Sequence, residues 1–393
     1  MSDIIQRSFA GGELTPALYA RADVVKYQTG LRQCRNFVVQ RHGGVSNRTG
    51  TRFTTEVKDS SKRVKLIKFV FSAKLGQTYA LEFGNLYMRI IKLAAQVLVT
   101  DTDAPAWSGV TNYVIGDLVT RLSIRYYCIL AHINQQPPNA TYWYALTGNI
   151  YEIPTPYVEA DLQDIRIDQS ADVVTVNHPL YDTRELARFG DKRWTLSLVT
   201  FAPTIASPTG VGIAGTAGAV TLSYAVTAIK NETYEESLPT TASQANLVVP
   251  APVTPVTVTW TNVTGAVQYA VYRSLNGVYG FVGLSSGSSF VDTGILPNFA
   301  DVPPTSRNPF AGAGNFPACS GYYQQRHIFA GSNNNPETVY GSKSGSFKNF
   351  TISTPLQDDD SVTFKVAGSQ VNRVVALIAI KKLIVFTEAV EWS

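Results

Sequence analysis

The chain has 393 residues, of which 45% are hydrophobic and only 16% charged, with 20 Tyr and 18 Phe. That balance excludes long disorder and leaves room for two to four domains, while just 2 Met and few Leu/Ala/Glu/Lys runs argue against extended helices. Net charge is +4, yet residues 1–74 carry 14 Lys/Arg against 5 Asp/Glu, an asymmetry that marks either an electrostatic contact surface or a solvated strand face.

Along the chain, Thr15-Pro16 offers a helix start and Gly30 a stop. The stretch Arg35–Phe53, RNFVVQRHGGVSNRTGTRF, follows a short apolar run with turn-forming glycines at 43, 44 and 50, where positive φ is expected. Its arginines, Arg35, Arg41, Arg48 and Arg52, suit bidentate contacts to carboxylates or to carbonyls of a neighbouring chain. From Val64 the pattern changes to period 2: VKLIKFVF and TYALEFGNLYMRII alternate about a Gly84-Asn85 turn, and AAQVLVT supplies a further strand.

Composition shifts at Asp101. Residues 101–150 are dense in Trp and Tyr, as a small module with little core of its own requires. Flat exposed rings bind sugars, because pyranose CH groups pack on the π face. Trp107, Tyr113, Tyr126, Tyr127 and Trp143, with Tyr144 beside them, are the candidate carbohydrate contacts; the other reading makes most of them the module's core. Strand patterning resumes over 151–203, with Val173, Val174, Val176, Leu186, Phe189, Trp194, Leu196 and Leu198 as its apolar positions. A second shift at Ala202 opens a cysteine-free run of alternating residues to about 304, the pattern of a seven-strand sandwich. Residues 305–393 again give short, evenly spaced strands suggestive of propeller blades.

Chemistry is sparse. Cys34, Cys128 and Cys319 are far apart and odd in number, so reduced thiols made in a cytoplasm are expected rather than a disulfide framework. His42, His132, His178 and His327 have no second ligand at metal spacing, which argues against a metal site. No nucleophile elbow, Walker loop or Rossmann glycine pattern is present, so neither a catalytic residue nor a cofactor is assigned. Gln357–Ser361, QDDDS, lacks a calcium loop's alternation and reads as a solvated turn. The start MSDIIQRSFAGG has no apolar core of a secretory signal, and no stretch reaches the ~18 apolar residues of a membrane span.

Four blocks in order resemble one family, the tail nozzle or tail tubular proteins of short-tailed bacteriophages: residues 8–53, residues 164–188 with Trp194, residues 322–350, and LIVFTEAVEWS at the end. Residues 105–146 are similar to chitinase-type carbohydrate-binding modules, and 204–302 to a fibronectin type III domain. The resemblance implies a mainly all-β composite: a nozzle scaffold at 1–100 and 151–203, an inserted aromatic module at 101–150, an inserted β-sandwich at 204–304, and a propeller-like part at 305–393. Family members continue further, so stopping at Trp392-Ser393 implies a shortened or truncated propeller.

The implied function is structural, not enzymatic: a virion tail subunit, made in the bacterial cytoplasm, forming a hexameric ring below the portal. It would contact the head-to-tail adaptor and fibre or spike proteins, touch host surface polysaccharide through its outward modules, and pass DNA during ejection without sequence-specific binding. A conduit should not grip its cargo, since each neutralised phosphate adds affinity, so the N-terminal arginines are expected to clamp protein. The alternatives are a secreted glycan-binding or glycan-degrading protein with chitin-binding and fibronectin-type accessories, and a stand-alone lectin-like adhesin.

Overall fold

The computed structural model describes residues 6–72, 74–366, 371–388 and 391–392, the last pair by backbone alone. Residues 1–5, where no secretory signal is expected, and Ser393, at the expected propeller truncation, lie outside the described residues. The fold is mainly β, with 47% strand and 4% helix arranged as many small antiparallel sheets, and the described residues form no propeller. The chain divides into two units, Met1–Thr55 and Glu56–Ser393.

The first unit is nearly all loop. Pro16–Leu18 and Val25–Thr29 form single 3₁₀ turns, the second ending at Gly30 as the sequence suggests. Gly12–Glu13 pairs with Gly30–Leu31, and Phe37–Val39 makes a hairpin with Val45–Asn47. Gly43 in that hairpin has φ +96, and a Cβ there would lie 2.3 Å from Ser8 Oγ, so only glycine fits. Gly44 and Gly50 do not have positive φ, a correction to the expected turns: the hairpin reverses at Gly43 alone, and the chain about Gly50 runs open.

The second unit holds the cores. Lys65–Ser72, Gln77–Gly84, Tyr87–Lys92 and Glu152–Pro154 form one sheet, with Ala95–Gln96 at its margin; the expected strand from residue 94 is reduced to that pair. Alternation puts Phe69, Leu81, Phe83, Met88, Ile90 and Ile153 inside. Register aligns Glu82, Arg89 and Glu152 in one row across three strands. All three are buried, which charged groups tolerate only when paired. Glu152 accordingly takes Arg89 Nε at 2.8 Å and Lys58 Nζ at 2.5 Å, and Glu82 accepts from the Tyr87 hydroxyl at 2.8 Å. Desolvation still holds the Glu82 carboxyl above its ordinary range.

Arg166–Ser170, Val173–His178, Tyr181–Gly190 and Arg193–Leu198 make a four-stranded meander whose Val174, Val176, Leu186 and Trp194 enter the same core. The Trp194 ring packs edge-on against Phe69 at 4.9 Å and Tyr79 at 5.4 Å, and its carbonyl accepts from Tyr127 at 2.8 Å. It therefore joins two sheets and the aromatic module.

The run after Ala202 folds into seven strands in two sheets: Thr209–Ala214, Val256–Thr261 and Ser289–Asp292 in one, Ala217–Lys230, Thr240–Leu247, Ala266–Leu275 and Val278–Ser285 in the other. Tyr224, Val226, Val256, Val258, Trp260 and Val271 fill the space between them. Buried Asp292 staples the sheets, taking Arg273 Nη1 at 2.5 Å and the Tyr224 hydroxyl at 2.8 Å. Cys319–Tyr323, Arg326–Ala330, Thr338–Gly341 and Val362–Lys365 form a further four-stranded sheet, and Val374–Ala379, Leu383–Thr387 and Glu391–Trp392 a three-stranded one.

The QDDDS stretch is a turn with Gln357 and Asp358 exposed, as expected, but its last two residues are not solvated. Asp360 is buried and accepts from Lys343 Nζ at 2.9 Å, Ser353 Oγ at 2.8 Å and the amides of Ser353 and Gln357. Burial opposes ionisation there, but these donors together hold the carboxyl below its ordinary range. Arg326 meanwhile donates to the carbonyls of Ser342, Asp358 and Asp360. A carboxylate cluster in the sequence is thus a knot tying the loop to its sheet.

Trp194→Ala should cost about 3–5 kcal/mol, the usual range for emptying a large aromatic site. Urea unfolding monitored by far-UV circular dichroism will register it as a lower midpoint. A loss under about 1 kcal/mol would mean that the ring does not join the sheets it touches.

Candidate functional site

Two regions carry the residues the sequence singles out. In the first unit, Arg35, Arg41, Arg48 and Arg52 are all exposed. Arg41 lies in the hairpin turn; Arg48 follows the second strand, where its amide donates to the Asn36 carbonyl at 2.8 Å; Arg52 sits in open chain. Arg21 is already paired with Asp23, whereas Arg41, Arg48 and Arg52 enter no ion pair among the described residues.

Apolar exposure surrounds them. Val25 is 87% exposed, Phe53 81%, and Phe37 and Val38 49% each. Among residues 6–55 only Gly43 is buried, and none belongs to a hydrophobic core. What holds the unit is polar: backbone bonds such as Phe9 to Gly43 and Leu14 to Leu31, each at 2.8 Å, with Gln6 Nε2 to the Gly30 carbonyl at 2.7 Å, the Tyr19 hydroxyl to the Arg32 carbonyl at 3.0 Å, and the Cys34 amide to Glu13 at 2.9 Å. Leu14, Tyr19, Ala22, Tyr27 and Arg32 line an open cleft of about 820 Å³. Ordering each backbone residue costs roughly 1–2 kcal/mol, which burial must offset. Here almost nothing is buried, so burial within the unit offsets little of that cost.

In the second unit the aromatic module forms a three-stranded sheet, Leu118–Arg121, Ile124–Cys128 and Trp143–Ala145, and a two-stranded one, Asn112–Tyr113 with His132–Ile133. Tyr113, Tyr126 and Trp143 are buried in its own small core, with Val119 and Cys128, and Tyr127 is buried on the scaffold side against Trp194. Trp143 Nε1 donates to the Gln135 carbonyl at 2.7 Å, and the Tyr113 hydroxyl accepts the Ser108 amide at 2.8 Å. These four rings are therefore not a sugar-stacking face. So small a module has no other bulk with which to build a core. Tyr144 is half-buried, and its hydroxyl is bonded to Glu152.

Trp107 alone of the five candidates stays half-buried at the margin, with Nε1 unpartnered. His132, which the sequence offers only as a histidine without a second metal ligand, lies in the module's core. Its ring is walled by Tyr142 and Trp143, each at 4.9 Å, and by Tyr113 at 5.5 Å, and neither nitrogen has a partner. Burial lowers its pKa from the ordinary histidine value, favouring the neutral ring.

Cys128 and Cys319 are buried free thiols, pushed up by burial to about 11 and about 12, and Cys34 is half-buried. Among the described residues no three His, Cys, Asp or Glu side chains converge as a metal site, and no helix is long and apolar enough to cross a membrane. No family model matches this chain, and no curated protein matches it.

Trp143→Ala should unfold the module rather than remove a ligand contact, at a local cost of about 3–5 kcal/mol. Hydrogen exchange should then rise across 112–146 and stay unchanged across the sandwich at 209–292. Retained protection in 112–146 would show that the ring is not structural.

Proposed function

We propose that this chain is a structural subunit of a bacteriophage tail, of the nozzle type found in short-tailed phages, and that its N-terminal unit is the arm by which copies assemble. One observation carries the reading: about fifty residues with a cationic surface, apolar side chains in the open and no core, on a chain whose remaining part is amply cored. Residues 1–55 carry 8 Lys/Arg against 3 Asp/Glu. Such a segment becomes stable when a neighbouring subunit covers it, as disordered or weakly folded arms do on binding. The four-block resemblance supplies the ring, six-fold by analogy, together with the adaptor above it and the fibre or spike proteins around it. It also supplies the DNA that passes through and the virion as location. The four-stranded meanders at 166–198 and 319–365 are read as blade-like elements of that platform.

A second reading is favoured by one feature only. The half-buried Trp107, at the margin of the module's core with Nε1 unpartnered, leaves room for a weak host-glycan contact, in a tail protein or in a secreted glycan-binding one. Trp107→Ala, measured by retention on insoluble glycans, separates that contact from the buried rings.

Arginines that clamp a partner lose on the order of 2–5 kcal/mol when truncated against a desolvated carboxylate, and a ring repeats the loss at every interface. Arg48→Ala combined with Arg52→Ala should therefore leave a folded monomer by sedimentation velocity, with unchanged circular dichroism. Unchanged assembly with lost DNA retention and a shallower salt dependence would instead assign the arginines to phosphate.

A further inference from the structure

The sheets on either side of the sandwich meet along a seam. Asn177 Nδ2 donates to Ser320 Oγ at 2.7 Å within it, and Lys348 pairs with Glu185 at 2.6 Å. In the same seam Asp168, on Arg166–Ser170, faces His327, on Arg326–Ala330, with Oδ2 3.6 Å from Nε2. That gap is too long for a hydrogen bond. Both atoms are shielded from water, and neither has another partner. The imidazole is held between Tyr322, stacked at 4.1 Å, and Phe329, also at 4.1 Å. Two buried polar atoms that face each other and nothing else must be reconciled by a proton.

We propose that Asp168 and His327 form a proton-operated latch across this seam, closed while the carboxyl is protonated and loosened when it ionises. In the closed state the Asp168 hydroxyl directs its hydrogen at the lone pair of Nε2, and the two atoms draw together from the 3.6 Å seen in the structure. On opening, the proton leaves to solvent and a carboxylate remains in the seam without a cation of its own. The other charged and titratable groups facing the pair do not replace it. Lys348 is engaged by Glu185, Arg166 donates to the Gln163 carbonyl, and the Tyr322 hydroxyl, pushed up to about 12 by burial, stays neutral. Burial acts on the two partners in opposite senses, lowering His327 to about 3 and raising Asp168 to about 6. The proton that would sit on the imidazole in water thus sits on the carboxyl.

The signs follow from which state binds the proton more tightly. Asp168 keeps its proton in the folded chain above the pH at which an unfolded chain has lost it. Its contribution is full below the ordinary carboxyl range and is lost as pH rises to about 6. His327 resists protonation when folded, so its contribution is full above the ordinary imidazole value and is lost as pH falls toward about 3. In the wild type the two slopes oppose each other between those limits. Removing either partner should expose the other's slope.

The test is urea unfolding of the full chain at several pH values between about 4 and 6.5, the window in which both groups titrate in one state or the other. It compares the wild type, Asp168→Asn and His327→Gln. Asp168→Asn should gain stability steeply with rising pH. His327→Gln should lose it, by up to roughly a hundredfold in the folding equilibrium, since each pH interval of one between the folded and unfolded midpoints is a factor of about ten. The wild type should vary less than His327→Gln falls or Asp168→Asn rises. Three parallel profiles would overturn the latch. Should either variant fail to fold, the carbon-13 carboxyl titration of Asp168 in the wild type decides. A midpoint near 6, with faster exchange of amides 319–323 above it than base catalysis explains, supports the proposal. A midpoint in the ordinary carboxylate range refutes it.

Discussion

Apolar burial is the constraint on which the rest of this molecule depends, and it is distributed unequally. Residues 56–393 contain several cores, each closed by alternating strands, from the Phe69–Trp194 cluster to the Trp260 interior of the sandwich. Residues 6–55 contain none, and are held by hydrogen bonds, several of them between segments twenty or more residues apart. A chain that builds cores so readily elsewhere is not short of apolar residues. Phe37, Val38 and Phe53 are present in the first unit and simply face outward. Exposed apolar and cationic side chains together are what the proposed assembly role would require of an interface.

Within the second unit, polar groups do the joining between parts. Glu152 collects Arg89 and Lys58 under the first sheet, and Asp292 ties the two faces of the sandwich. Glu235, buried at the foot of the sandwich, accepts from Asn349 at 3.0 Å and from Thr204 at 2.5 Å. An isolated buried carboxylate would be costly, so each joint is satisfied only when its segments are in place together. Sequence-distant segments are therefore held in one arrangement, and the sandwich is bonded to the scaffold beyond it rather than hung from flexible ends. The Asp168–His327 pair differs from these joints in having no third group to satisfy it.

Much of the β architecture was legible. Period-2 alternation with Gly and Asn turns marks the seven strands after Ala202 because one face of each must be buried. The Gln77–Gly84 and Tyr87–Lys92 hairpin was readable for the same reason. Ring burial in the aromatic module was not, since the same Trp and Tyr residues serve as platform or as core and only packing distinguishes them. Asp360 looked solvated because its partners Lys343, Ser353 and Arg326 are scattered along the chain. The pairing of His327 is invisible in the sequence for a similar reason: no ligand lies near it along the chain, and Asp168 reaches it only through the folding of two sheets. The N-terminal arginines were legible as a charge run, while the absence of a core around them was not.

The central claim is that the first unit is completed by neighbouring copies. Single-particle electron microscopy of the purified full-length chain tests it most directly. Closed rings are expected, in which residues 6–55 lie at the contacts between subunits with Phe53 and Val25 covered. Uniform monomers at all concentrations, or rings whose contacts leave that unit bare, would contradict it.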